Sequence, residues 1–267
     1  QKYGDGFFKI NVHYYLGECL FNRGHQTDAM PHFEYVVQQP KNEFTEQSLV
    51  FASQVLMNYS QYDKAVPYLI QLETTAEQKP NVLYARKSQV EAYSKMKEYQ
   101  KLVDVVENFI VTEKVTDNDK RWANMCSAMA YDSLGDTTNA LIKYRTVALE
   151  YVTAEGSESK YRVASILFDQ NNYAEAEKEI LDFLEKSSSH QYWLGKSYIL
   201  WARIFMARNE LFQARYTLQN VLQHYKIQED GIIAEVTDTL DEITDMEMAA
   251  KAQETHSVEL DMEGKNE

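Results

Sequence analysis

The feature that most constrains this chain is a small residue that recurs in pairs twelve positions apart. Ala164 is followed by Ala176, and Ala202 by Ala214. Between the members of each pair lies a short polar stretch, Asn171-Asn172 in one and Asn209-Glu210 in the other. Apolar residues at helical spacing precede it, Tyr161 to Phe168 or Trp201 to Met206, and a second such segment follows. A helix, a tight turn and a second helix satisfy this pattern. The small residues sit where two helix axes approach, and a bulky side chain at either place would force them apart. The same plan occurs four more times, with Gly17 and Ala29, Ser53 and Ala65, Val90 and Leu102, and Ala128 and Ala140. The second members fall at 29, 65, 102, 140, 176 and 214, at intervals of 36, 37, 38, 36 and 38. One such hairpin cannot bury its apolar face alone, so neighbours must stack. The expected fold is all-α: a solenoid of about six antiparallel helix pairs.

The period sets the expected boundaries. Six hairpins fill 1–228, at about 7–40, 43–79, 80–116, 118–155, 157–189 and 190–227, after a lead-in over residues 1 to 6. Asp28 is expected to open the second helix, with Pro31 in its first turn, and Pro67 repeats that place 36 residues on. Glu155-Gly156-Ser157 and Ser187-Ser188-Ser189 read as connectors. Beyond Tyr225 the period stops. Ile233, Val236, Leu240 and Ile243 then make a narrow apolar stripe between acids, which predicts a capping helix over 229–252. In 253–267 the apolar signal fades, so an acidic, disordered tail is expected there.

These units resemble the tetratricopeptide repeat (TPR). The resemblance rests on the two small residues, the aromatic before the second helix (Tyr62, Tyr99, Tyr173), the apolar residue four after the second small one, and the pair Leu16-Gly17. It covers roughly residues 7 to 225. The family's first-helix tryptophan is replaced by His13, Leu49, Arg86, Asn124, Lys160 and Tyr198, and the period exceeds the usual one by a few residues. The resemblance implies a non-catalytic scaffold that binds a peptide or protein segment in its concave groove. The last two hairpins are also similar to the C-terminal part of long TPR proteins of Gram-negative envelopes. That narrower likeness implies a periplasmic or envelope-associated location, with further repeats upstream. It leaves two alternatives open: an assembly segment contacting neighbours through its ends and convex face, and a cytoplasmic protein.

Composition narrows the partners. Asp and Glu number 41 against 27 Lys and Arg, a net charge of -14. A nucleic-acid surface needs a basic stripe, so no nucleic-acid partner is expected, and docking on an anionic membrane is disfavoured. No run of about 18 apolar residues occurs, so no transmembrane segment is expected. Cys19 and Cys126 lie far apart within apolar helical stretches and read as free thiols. The six histidines are scattered, and no phosphate loop, nucleophile elbow or paired-cysteine motif occurs. Neither an enzyme nor a cofactor is expected. The first helix carries Phe7, Phe8 and Ile10, which predicts apolar surface at that end, covered by another repeat or a second copy.

In the family the first helix of each pair lines the groove. That makes Tyr14, Phe21, Met57, Tyr84, Trp122, Met125, Met129, Tyr161, Phe168, Arg203 and Met206 the candidate binding residues. Trp122, Met125, Met129 and Tyr161 are the central ones. Aromatics and Met anchor interfaces, and few charges are expected mid-band. A basic clamp for a carboxylate tail is not matched, because Tyr14 and Glu18 stand at its positions. The expected ligand is therefore an apolar or mixed peptide.

Overall fold

The computed structural model describes residues 5–186 and 189–263, with side chains from 8 to 186 and from 189 to 252. Among the described residues there are thirteen α-helices and no strand. They are α1 (Asp5–Asn22), α2 (Gln26–Val37), α3 (Thr45–Asn58), α4 (Tyr62–Thr75), α5 (Lys79–Met96) and α6 (Tyr99–Ile110). Then come α7 (Asp117–Ser133), α8 (Thr137–Ala148), α9 (Ala154–Asp169), α10 (Tyr173–Glu185), α11 (Gln191–Ala207), α12 (Leu211–His224) and α13 (Ile232–Glu263). Odd-numbered helices up to α11 are the first members of the hairpins.

The turns explain why the hairpins are alike. Gly24, Ser60, Lys97, Gly135, Asn171 and Asn209 all adopt positive φ, between 56° and 84°. Each stands five residues before the second small residue of its hairpin. In each case the next residue's N–H donates to a carbonyl five residues back, as in His25 to Leu20 (2.9 Å), Gln61 to Leu56 (2.8 Å) and Glu98 to Tyr93 (3.0 Å). The same bond joins Asp136 to Tyr131, Asn172 to Leu167 and Glu210 to Phe205. This left-handed closure satisfies carbonyls that the end of a helix leaves without partners.

The small positions are buried as the pattern requires. Ala29, Ser53, Ala65, Val90, Ala128, Ala140, Ala176, Ala202 and Ala214 are wholly buried. Gly17 shows the reason directly: a Cβ there would come within 2.9 Å of the Phe33 ring. Val90 and Leu102, the largest of the set, are buried as well, in a cluster with Val106 and Phe109.

The chain divides into two compact units, up to Lys143 and from Tyr144 onward, with the division inside α8. In the first unit α3 packs on α2 and α4, α5 on α4 and α6, and α7 on α6, while α1, α3, α5 and α7 form a row. In the second unit α9 pairs with α10 and α11 with α12, and α9, α11 and α13 form the row. The capping helix is real. Ile232, Val236 and Ile243 are fully buried against Ile199, Ala202, Leu218 and Val221. Gly195 on α11 lets it seat, since a Cβ there would meet the Ile232 side chain at 3.0 Å.

Several boundaries move. α2 opens at Gln26, so Asp28 lies inside its first turn. Pro31 and Pro67 are consequently sixth residues of their helices. α5 opens at Lys79, one residue before the expected start of the third hairpin. Glu155-Gly156-Ser157 is no linker: it lies in the first turn of α9, which Thr153 caps by accepting from the Gly156 N–H at 3.1 Å. Gly156 is needed because a Cβ would stand 2.1 Å from the Glu150 carbonyl oxygen. α1 begins at Asp5, within the expected lead-in. In α13 the buried residue is Ile232, not Ile233, and the helix continues to Glu263, through most of the expected tail. Residues 1–4, 187–188 and 264–267 lie outside the described residues, and with them two serines of the expected connector.

Candidate interaction surfaces

In the first unit the row of first helices carries a depression of about 450 Å³ between α5 and α7, lined by Lys87, Glu91, Ser94, Lys95, Asp119 and Trp122. Helical spacing produces it: 87, 91 and 94/95 lie on one face of α5, and 119 and 122 on one face of α7. Lys87 Nζ donates to Asp119 Oδ1 at 2.7 Å across the two helices. That bond holds the Asp119 carboxyl below its usual range, with help from Thr116 Oγ1, which donates to it at 2.8 Å. Trp122 is half-buried and meets Phe109 edge to face, with ring centroids 6.4 Å apart. About two turns further along α7, Met129 is 48% exposed.

The remaining candidates of this unit serve the packing more than the surface. Tyr14 is 8% exposed, stacks on Phe44 at 4.6 Å and donates to Glu18 Oε1 at 3.4 Å. Burial, then the Glu18 carboxylate, pushes its phenol up to about 12. Met125 is 6% exposed. Both are therefore seam residues, because a side chain that faces its own cluster has no area left for a ligand. Phe21 lies between Phe33 and Phe51, at 6.4 and 4.8 Å. Met57 packs on the cluster of Leu56, Ala65 and Leu69. Tyr84 packs beside it, and its hydroxyl lies 3.3 Å from Ser53 Oγ. These three are half-buried.

In the second unit Tyr161 on α9 meets Trp193 at 5.5 Å, and Lys196 Nζ lies 5.7 Å from the Tyr161 ring centre. Lys196 also donates to both Glu235 oxygens, at 2.9 and 2.7 Å. Burial draws its pKa down, but that hydrogen bond and the charge of Glu235 outweigh burial and raise it. Arg203 reaches the same carboxylate at 3.6 Å. Its charge is thus tied into the capping helix. Phe168 meets Tyr173 at 5.4 Å, and Met206 packs on the Ile199–Leu218 cluster. Of the four central candidates, Trp122, Met125 and Met129 share α7, and Tyr161 stands on α9 in the other unit.

The sparse charge expected at mid-band is not found around Trp122, where Lys87, Glu91, Lys95 and Asp119 surround the ring. Sequence reasoning missed Lys95 and Asp119 because it took each helix outward from the small residue and stopped short of its ends. The i, i+4, i+8 run Lys87-Glu91-Lys95 was the available signal. Trp193 and Lys196 were missed for the same reason. Among the described residues no group of three or more His, Cys, Asp or Glu could hold a metal, and no helix is long and apolar enough to cross a membrane.

No protein-family model matches the sequence, and no curated protein matches it. Solved structures do. A signal-transduction ATPase with numerous domains from Pyrococcus horikoshii, described as having a tetratricopeptide repeat sensor, gives a TM-score of 0.56 at 14% identity. The match covers 90% of this chain and 40% of that one. The fold is the tetratricopeptide-repeat fold. The apo quorum sensor NprR from B. thuringiensis gives a TM-score of 0.50 at 15% identity, over 86% of this chain and 69% of its own. At these identities the TPR likeness is one of fold. Within it, the left-handed turns and the buried small positions are what a TPR hairpin requires, and the α5–α7 depression lies on its first helices.

Proposed function

We propose that this chain is a non-catalytic scaffold that holds a peptide or protein segment against its first helices, centred in the first unit on the α5–α7 depression. The observation that carries this reading is the half-buried Trp122 rimmed by Lys87, Glu91, Lys95 and Asp119, with the exposed Met129 about two turns further along α7. An apolar anchor inside a polar rim is the arrangement of an interface core, and Met adapts to varied partners. The rim carries both signs of charge, so the segment that fits has a central apolar residue flanked by mixed charges. The TPR resemblance supports the same reading.

The test is selection of extended peptides from a random display library on the immobilised chain, followed by hydrogen-exchange mapping of a selected peptide. Protection is expected on α5 and α7, and Met129→Asp combined with Lys95→Glu should abolish binding while far-UV helicity stays unchanged. Replacing Trp122 is the poorer test, because its ring packs on the core through Phe109. Protection confined to other helices would refute the assignment.

A further inference from the structure

The seams between successive second helices are not alike. In three of them the residue three after the small position of one second helix reaches the residue five after that of the helix before. Tyr68 donates to Glu34 at 3.2 Å, Lys143 donates to Glu107, and Glu179 pairs with Arg145 at 3.6 Å. Between α4 and α6 the two places hold the apolar Val105 and Ile70. Between α10 and α12 they hold Thr217 and Leu181, and Leu181 is 38% exposed. The Thr217 hydroxyl turns back on its own helix and donates to the Gln213 carbonyl at 2.9 Å. Among the described residues α12 packs on α11 and α13 and not on α10. This seam therefore stays open. Two recesses of about 460 and 240 Å³ follow one another along α11 and α12, joined at Tyr198 and Asn220, which line both. Half-buried Tyr198, Trp201 and Phe205 succeed each other on α11, with ring centroids 6.4 and 5.4 Å apart. Phe212 and Tyr216 of α12 flank them, 79% and 61% exposed. Trp201 is held in place by its Nε1, which donates to Glu177 Oε1 at 3.0 Å. A quarter of the chain is charged, yet no Asp, Glu, Lys or Arg lines either recess.

We propose that this aromatic groove on α11 and α12 binds a proline-rich segment in the extended polyproline conformation. Width argues for an extended chain. In the bridged seams two touching side chains span the gap, so a single strand fits where an α-helix about 10–12 Å across does not. Pitch argues for polyproline. Two residues of that helix advance about 6 Å, close to the ring-to-ring steps along α11, so successive rings can each meet a proline. Hydrogen bonding agrees. A polyproline segment leaves its carbonyls unpaired and proline has no N–H, so it needs donors and few acceptors. The side-chain amides of Asn220 and Gln213 supply donors at the groove. The uncharged lining excludes charged residues from the bound segment, because they would lose water without gaining a partner. A neutral glycan would stack on the same rings, but its many hydroxyl donors would find no carboxylate to accept them. The groove lies wholly in the second unit and is independent of the α5–α7 depression.

The test is fluorescence anisotropy of a labelled oligoproline titrated with the full chain, beside a labelled Gly-Ser peptide of equal length and a labelled neutral oligosaccharide. Oligoproline should bind and the other two should not. Phe212→Ala with Tyr216→Ala should weaken binding by about 10-fold or more. Both side chains are exposed, so helicity should be retained. Thr217→Lys with Leu181→Glu copies the Lys143–Glu107 bridge into the open seam and should block binding without lowering the melting temperature. Met129→Asp with Lys95→Glu should leave binding unchanged, which separates this groove from the α5–α7 depression. Absence of oligoproline binding up to about 1 mM would overturn the proposal. So would equal binding of the Gly-Ser peptide, or oligoproline binding that survives loss of the two rings. Oligosaccharide binding that is lost with those rings would also overturn it and give the groove to a glycan.

Discussion

At the turn of each hairpin one residue is held at positive φ, and only two of the six are glycine. A side chain in the left-handed region costs about 1–2 kcal/mol, partly offset in glycine by a more mobile unfolded chain. Lys97→Gly should therefore raise stability by about 0.5–1 kcal/mol, read from denaturant unfolding, with the exchange footprint unaltered. Sequence inspection found the turns at Asn171-Asn172 and Asn209-Glu210, because asparagine tolerates such conformations. It passed over Ser60 and Lys97, where closure of the hairpin imposes the conformation on residues that do not favour it. Gly156 misled for the opposite reason: it marks close backbone approach, not a flexible link. Gly156→Ala should cost about 1–3 kcal/mol or more in thermal unfolding. A third residue-scale case is His13, whose Nδ1 lies 3.0 Å from that of His32 and whose ring stacks on Tyr35 at 4.0 Å. Burial, then the charges of His32 and Lys9, lower its pKa from 6.5. The fold thus prefers the neutral ring. Its contribution is whole above the unfolded value and is lost as pH falls through the folded one. Between about pH 7 and pH 5 the melting temperature should fall more steeply in the unaltered chain than in His13→Gln. Equal slopes would show that this ring is not coupled to folding.

At the scale of elements, α13 differs from the twelve helices before it in having one apolar stripe and an acidic remainder. Cutting the chain after Tyr225 removes Ile232, Val236 and Ile243, each worth roughly 1.5–3 kcal/mol when fully buried, and bares Leu218 and Val221. The shortened chain should unfold several degrees lower and self-associate in size-exclusion chromatography, while loss of residues 253 to 267 alone should change little. An unchanged melting curve for the first truncation would remove the capping role. The stripe was legible because three-four spacing is a strong helical signal, but its register slipped by one, from Ile232 to Ile233, since adjacent isoleucines fit the start of the pattern equally well. The N-terminal end shows the same mixture. Apolar surface was expected on α1 and is present, yet Ile10 turns inward against Tyr14 and Val36, the side chain of Phe7 lies outside the described residues, and Val12, Tyr15 and Leu16 form most of the exposed stripe.

For the whole molecule, charge makes the plainest prediction. With 41 acidic and 27 basic side chains, the chain should not bind double-stranded DNA even at low salt, where phosphate attraction is strongest. Fluorescence anisotropy of a labelled duplex checks this, and a salt-dependent rise would show a local basic surface that net charge conceals. The fold was far more legible than the surface. Packing repeats, so Ala65 and Ala176 announce themselves through their spacing, whereas Lys87, Lys95 and Asp119 meet only because two helices lie side by side, and no period in the sequence records that. The turn geometry has a consequence for how such a chain changes in length. All six turns place their left-handed residue at the same distance from the next small residue, so a cut at one turn can be joined to another without a new kind of junction. Joining Gly24 directly to Gln61 would leave Gly17 and Ala65 twelve positions apart, the same separation as Gly17 and Ala29. Slippage or unequal exchange between copies of the gene segment can thus add or drop whole hairpins while the reading frame of the fold is kept.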